Sequence, residues 1–173
     1  MRKFRRVFRS PFFEVATALK NLPVDELETI APFAVAPWTE RINTIVDGAE
    51  VEPWSEAHRD GNVRIAVSSS ARNDLVGVGG VVEMPQVSQG GPKLVKFSFL
   101  LGERSGQNVF AGELAAAAYA LRSLRGPRHR DIALATRSKA AVLTLRNPRQ
   151  QSAQEYARCI CEETERHEQM GTQ

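Results

Sequence analysis

The stretch Val63-Arg-Ile-Ala-Val-Ser-Ser-Ser70 decides how this chain folds. Its apolar residues Val63, Ile65 and Val67 alternate with smaller or polar ones, which is the two-residue period of a half-buried β-strand. Residues 71–74 have the composition of a hairpin turn, and the apolar run at 76–82 predicts a returning strand. The stretch therefore predicts a β-hairpin with one buried face.

Strands and helices alternate along the rest of the chain. A third strand is predicted at 93–101, and a helix at 108–125 carries Glu113 on an otherwise alanine-rich face. Residues 131–136 read as a short buried strand that runs into a helix reaching Leu145, and a last helix is predicted at 152–168. Three meandering strands before that first domain helix and one strand after it imply an α/β fold with a mixed sheet.

Length and composition suit a single domain with an appendage. The chain has 173 residues, of which 42% are hydrophobic and 25% charged. No apolar run approaches the roughly 18–20 residues that span a bilayer. Cys159 and Cys161 point to different faces of a predicted helix, so no disulfide framework or thiolate zinc site is expected. These features predict an intracellular protein, cytoplasmic or nuclear, with no membrane association.

Charge is segregated along the chain although the net charge is only +3. Residues 1–20 carry six basic side chains and one acid, 23–56 carry eight acids against one arginine, and 122–149 carry eight basic side chains against one acid. Such blocks either attract one another within the chain or present a basic face to a polyanion. Both interpretations stay open.

The sequence predicts two regions in the chain. Residues 1–57 form a basic N-terminal helix, with Ser10 as its N-cap, followed by a proline-rich tether; residues 58–173 form the domain. Trp38 and Trp54 lie in the tether among acidic neighbours. They are therefore predicted to anchor the tether on the domain, with base stacking as the alternative.

The order of elements and several short motifs resemble the ribonuclease H domain of fungal non-LTR retrotransposon reverse transcriptase polyproteins. The motifs in the domain are Ala111-Gly-Glu-Leu114, Ser138-Lys-Ala-Ala141, and Asn147-Pro-Arg149 with Gln151-Ser-Ala-Gln154. Those before the domain are Asn21-Leu-Pro-Val-Asp-Glu-Leu-Glu-Thr-Ile-Ala-Pro-Phe33 and Ala36-Pro-Trp38. The resemblance covers nearly the whole chain. It implies a ribonuclease H-like mixed sheet of three antiparallel strands and one parallel strand, with packing helices. It also implies that the domain is degenerate and lacks the family's terminal strand and helix.

The resemblance also implies a site in which two strand-end aspartates and a helix glutamate hold Mg²⁺. Glu113 matches the glutamate, but Ser68 and Arg137 stand at the aspartate positions. A neutral hydroxyl and a permanent cation cannot replace carboxylates in a two-metal site. No intact catalytic set or metal site is therefore expected, Glu113 is the one surviving candidate ligand, and it is predicted to pair with Arg137. His58, His129 and His167 are predicted to be surface residues.

Three functions remain open at this point. The first is a catalytically inactive, retrotransposon-derived protein that retains weak, non-specific RNA or DNA binding through Arg122, Arg125, Arg128, Arg130 and Lys139. The second is an active ribonuclease that cleaves RNA in RNA–DNA hybrids with Mg²⁺; no cofactor is expected otherwise. The third is a domesticated protein-interaction module, whose truncated sheet edge binds a protein partner or another copy of the chain.

Overall fold

The structure is a computed structural model that describes residues 10–23, 35–36, 38–46, 62–85, 92–124, 131–149 and 151–171. Several predictions lie outside these residues. They are the basic arm before Ser10, the domain boundary at residue 57, Trp54, His58 and His129, and Arg125, Arg128 and Arg130.

Four helices and four strands make up the described part of the chain. In chain order they are α1 (Pro11–Leu19), β1 (Val63–Arg72), β2 (Leu75–Met84), β3 (Lys93–Glu103), α2 (Val109–Ser123), β4 (Ile132–Thr136), α3 (Lys139–Arg146) and α4 (Gln154–Gly171). Each predicted strand and helix of the domain is present, with ends that differ by up to three residues. Side chains of Ser10, Asn108 and Ser138 cap the N-termini of α1, α2 and α3.

The four strands form one mixed sheet in the order β3-β2-β1-β4. β1 pairs antiparallel with β2 through a two-residue turn, in which Asn73 and Asp74 adopt the left-handed φ values of 50° and 58° that such hairpins require. β2 pairs antiparallel with β3, and β4 pairs parallel with β1. The predicted fold class, three antiparallel strands plus one parallel strand with packing helices, is confirmed.

Helix α2 lies at the centre of the molecule, between the sheet and α4. Ten of its residues are buried, and Leu114 and Ala116 have no exposed surface. The sequence predicted a single apolar side, but α4 covers the opposite side with Ala157 and Ile160. Alanines suit this position because their small side chains let α2 approach both layers closely.

The other face of the sheet carries small and exposed side chains. Phe97 and Phe99 of β3 contact Tyr119 of α2 in tilted ring pairs, so the alternate β3 residues point away from the helices. Ser68, Gly79 and Ser98 form one cross-strand row on that second face. Three leucines of β2 and β3 are exposed around this row, namely Leu75, Leu94 and Leu100. We call this surface the open sheet face.

The N-terminal segment behaves differently from the domain. α1 begins at Pro11 as predicted, and none of its residues is buried. In the tether, Ile42 packs against the core and Arg41 bonds to Asn147 at 3.3 Å. Trp38 is 87% exposed, so the prediction that it packs on the domain is wrong.

Two polar residues of α4 are covered by the contact with α2. His167 was predicted at the surface, and this prediction is wrong, because the residue is buried with its Nε2 3.4 Å from the carbonyl oxygen of Leu121 in α2. Glu163 forms ion pairs with Arg122 and Arg166 and is mostly covered. The α2–α4 contact therefore covers more of α4 than its apolar stripe. None of the described helices combines the length and apolar character of a membrane-spanning segment.

Candidate functional site

The carboxylate of Glu113 is the centre of the candidate site. The side chain projects from the first half of α2 toward the end of β1 and is only 5% exposed. Its Oε1 accepts a hydrogen bond from the backbone N–H of Ser69 at 2.8 Å, and its Oε2 accepts one from the hydroxyl of Thr136 at 2.5 Å. These donors satisfy a buried carboxylate that would otherwise be costly to desolvate.

Ser69 joins β1 to the start of α2. Its Oγ lies 2.7 Å from the carbonyl oxygen of Val109 and 3.2 Å from Oε1 of Glu113. A hydroxyl has one proton, and the shorter distance assigns it to Val109. The close approach depends on Gly112, where an added Cβ would lie 2.8 Å from the Cβ of Ser69. The position of Glu113 is therefore fixed by direct contact between α2 and β1.

The prediction that Ser68 and Arg137 lie beside Glu113 is wrong. Ser68 is exposed on the open sheet face, because the alternation that buries Val67 places Ser69 on the helix side. Arg137 follows the end of β4 with an exposed side chain, and no ion pair joins it to Glu113. The predicted Glu113–Arg137 pair is therefore wrong, and Ser69 and Thr136 contact the carboxylate in its place.

The residues around Glu113 do not fit a two-metal site. Such a site needs several carboxylates to hold two Mg²⁺ ions about 4 Å apart. Here one carboxylate has both oxygens engaged by the Ser69 amide and the Thr136 hydroxyl. Within the described ranges, no three His, Cys, Asp or Glu side chains form a group that could hold a metal ion. Glu113 has a structural role in this arrangement, joining α2 to β1 and β4.

The predicted nucleic-acid-binding residues fall into three groups. Arg122 has a side chain that is 63% exposed, and its Nε lies 3.6 Å from Glu163. Lys139 is exposed in the first turn of α3, next to the exposed Arg137. The remaining three arginines lie outside the described residues. The described basic surface near Glu113 is thus formed by Arg137 and Lys139, at the end of β4.

Sequence reasoning missed two kinds of residue. Ser69 and Thr136 were passed over, although the strand period of Val63, Ile65 and Val67 already places Ser69 on the buried face. A second basic group, Arg41 with Arg146 and Arg149, was also missed. No sequence signal joins these arginines, because Arg41 comes from the tether.

The two cysteines are buried and free. The pKa of the Cys161 thiol is raised to about 11, chiefly by burial and in smaller part by the Glu165 and Glu162 carboxylates. The pKa of the Cys159 thiol is raised as well, chiefly by burial, although Arg122 opposes the shift. Both thiols therefore stay protonated at neutral pH and are poor nucleophiles.

Comparison with known proteins gives matches among solved structures. No family model matches the sequence, and no curated protein matches it significantly. Among solved structures, ribonuclease H1 of the halophilic archaeon Halobacterium salinarum is similar, with 18% sequence identity and a TM-score of 0.45. The similarity covers 62% of this chain and 78% of the archaeal chain.

Proposed function

We propose that this chain is a catalytically inactive, retrotransposon-derived ribonuclease H-like protein that binds nucleic acid without cleaving it. The observation that carries the proposal is the environment of Glu113. Both carboxylate oxygens accept hydrogen bonds from Ser69 and Thr136, and among the described residues no three His, Cys, Asp or Glu side chains form a group that could hold a metal ion. Hydrolysis through two metal ions has no ligand set there, whereas the surrounding surface is basic.

The charge at the end of β4 supports nucleic-acid binding. The side chain of Lys139 is exposed in the first turn of α3. Together with Arg137 it places two positive charges on one exposed surface, and Lys and Arg contacts to phosphates supply sequence-independent affinity. The exposed indole of Trp38 offers a stacking surface for an unpaired base.

The test measures binding and cleavage on the same RNA–DNA hybrid, with Mg²⁺ and with EDTA. We expect intact hybrid under both conditions and an affinity that falls as salt rises. The variant Arg137→Gln/Lys139→Gln should lower the slope of log affinity against log salt by about 1–2 units, because each lost phosphate contact removes about one. The matched control is Lys93→Gln/Lys96→Gln, which removes the same charge from exposed positions on β3.

The outcomes separate the candidate functions. Equal losses in the two double variants would mean that only net charge matters and that the end of β4 is no binding surface. Cleavage that requires Mg²⁺ and disappears in Glu113→Gln would establish the active ribonuclease instead.

A protein-interaction module is the second candidate, and a separate observation favours it. Leu94 and Leu100 are 57% and 59% exposed on the open sheet face, at the two ends of a β3 stretch that also carries Lys96 and Ser98 on that face. Exposed apolar surface marks interaction sites in other proteins. This function predicts apolar association that is insensitive to salt, unlike nucleic-acid binding.

A further inference from the structure

We infer that a second site, at the C-terminal end of α3, binds a phosphate group. A surface pocket there brings together three arginines from two separate parts of the chain. Its polar lining residues are Arg41, Thr144, Arg146, Asn147, Arg149 and Gln151. In the described part of the chain, no acidic side chain lines this pocket. Three guanidinium groups in one concave surface repel each other, and an anion between them would remove that repulsion.

The hydrogen bonds inside the pocket leave guanidinium donors open. The amide of Asn147 has two possible orientations, which differ in the positions of its oxygen and nitrogen. In one, its oxygen accepts from Nη1 of Arg41 at 3.3 Å; in the other, it accepts from Nη2 and Nε of Arg149 at 3.1 and 3.2 Å. In either orientation one of the two guanidinium groups makes no hydrogen bond to this oxygen, and planar guanidinium donors match the geometry of a phosphate.

The segment after α3 holds Arg149 in a fixed position. Its backbone N–H donates to Oε1 of Gln151 at 2.9 Å, and its carbonyl oxygen accepts from Nε2 of the buried Gln154. Ala153 has a φ of 61°, a left-handed conformation that is strained for a residue with a Cβ. These hydrogen bonds fix the backbone from which the side chain of Arg149 reaches the pocket, which lowers the conformational entropy lost when a ligand binds.

A purely structural role for the arginines accounts for only part of this arrangement. Arg146 lies in the last turn of α3, where a cation interacts favourably with the helix dipole. The side-chain bonds of Arg41 go to Asn147 and to the carbonyl oxygen of Val35, so they cap no α3 carbonyl. Gln151 also lines the pocket, and within the described residues its amide nitrogen Nε2 makes no hydrogen bond.

This site is distinct from the basic surface at the end of β4. Lys139 and Arg146 are the first and last residues of α3, which separates them by about 10 Å at 1.5 Å per residue. The phosphate can belong to a terminal phosphomonoester, to inorganic phosphate or to a nucleic-acid backbone. The shared chemistry is a tetrahedral phosphate oxyanion bound by arginine forks.

The test titrates inorganic phosphate into the full chain and follows the Nε–Hε signals of its arginines by NMR. We expect saturable shifts for Arg41 and Arg149, and a dissociation constant raised about tenfold in Arg149→Gln, the loss of one good charge-assisted contact. Arg41→Gln should act similarly but also releases the tether contact to Asn147, so Arg149→Gln is the decisive variant. Arg72→Gln, exposed in the β1–β2 hairpin, is the matched control and should leave phosphate binding unchanged.

Two further arms identify the source of the phosphate. A single-stranded oligonucleotide is compared with and without a 5′-phosphate. Preference for the phosphorylated strand, lost in Arg149→Gln, supports a terminal phosphate; equal binding, also lost in that variant, supports a backbone phosphate. A response that never saturates, or that falls equally in Arg72→Gln, would overturn the proposal. Because inorganic phosphate is the probe, the outcome is independent of whether the chain binds RNA–DNA hybrids.

Discussion

The hydroxyl of Thr136, the last residue of β4, donates a hydrogen bond to the buried carboxylate of Glu113 at 2.5 Å. The same hydroxyl oxygen accepts from the backbone N–H of Ser138 at 3.0 Å, and Ser138 caps α3. One threonine therefore connects α2, β4 and the start of α3. The sequence resemblance implied Glu113 as a candidate metal ligand, whereas here its carboxylate accepts this hydrogen bond from Thr136.

Replacing this hydroxyl tests how much the connection stabilises the fold. Thr136→Val keeps the side-chain shape but leaves Oε2 of Glu113 and the Ser138 amide without their partner. We expect the free energy of unfolding to fall by about 1–3 kcal/mol, the cost of unsatisfied buried polar groups. Denaturant unfolding measures this change.

The matched control for that variant is Thr164→Val. The Thr164 hydroxyl donates to the carbonyl oxygen of Ile160, four residues earlier in α4. Its loss should matter little, because helical back-bonding of this kind adds no stability. Thr136→Ser should retain most of the wild-type stability. Equal losses in Thr136→Val and Thr164→Val would contradict a specific role for the Glu113 contact.

Gly112 allows α2 to approach β1, and Gly112→Ala should destabilise the domain. The added Cβ would lie 2.8 Å from Ser69 Cβ and 3.1 Å from Val78 Cγ1. Alanine gains about 1 kcal/mol of helix propensity, and overpacking of a rigid contact costs about 1–3 kcal/mol, so a net loss is expected. Gly106→Ala is the control, since its Cβ would meet nothing within 4 Å. A thermal melt in which Gly112→Ala is the more stable variant would disprove the close contact.

The buried thiols give a prediction about pH. Both cysteines should resist thiol-modifying reagents at pH 8 in the folded protein and react after unfolding. Burial raises the pKa of Cys161 from about 9 to about 11, so the folded state retains its proton where the unfolded state loses it. The contribution of this thiol to stability is therefore complete below pH 9 and is lost as pH rises toward 11. In Cys161→Ala this part of the alkaline decline should be absent, and urea unfolding between these pH values measures it.

The open sheet face predicts self-association of the isolated chain. Leu94 and Leu100 are more than half exposed there, and apolar surface of this kind is buried when copies associate. Light scattering should show an apparent mass that rises with concentration, and Leu100→Ser should reduce the rise. Leu143→Ser, at a comparably exposed position on α3, should leave it unchanged. A monomer that melts cooperatively above about 65 °C would contradict this prediction.

The local sequence predicted the elements of this fold and their types. The alternation of Val63, Ile65 and Val67 predicted β1, and Ser10 and Pro11 predicted the start of α1, because periodicity and capping depend on neighbouring residues alone. The order of strands and helices then predicted the mixed sheet. The presence of Glu113 on an alanine-rich helix was also evident from the sequence.

Only the tertiary structure decided which side chains meet. A shift of one residue along a strand moves a side chain to the other face of the sheet, so Ser69 rather than Ser68 contacts Glu113. Layer packing decided that α4 buries His167, and the path of the tether brought Arg41 to Asn147, 106 residues away. Contacts of this kind depend on the relative placement of whole elements, and a local period of two or 3.6 residues carries no information about that placement.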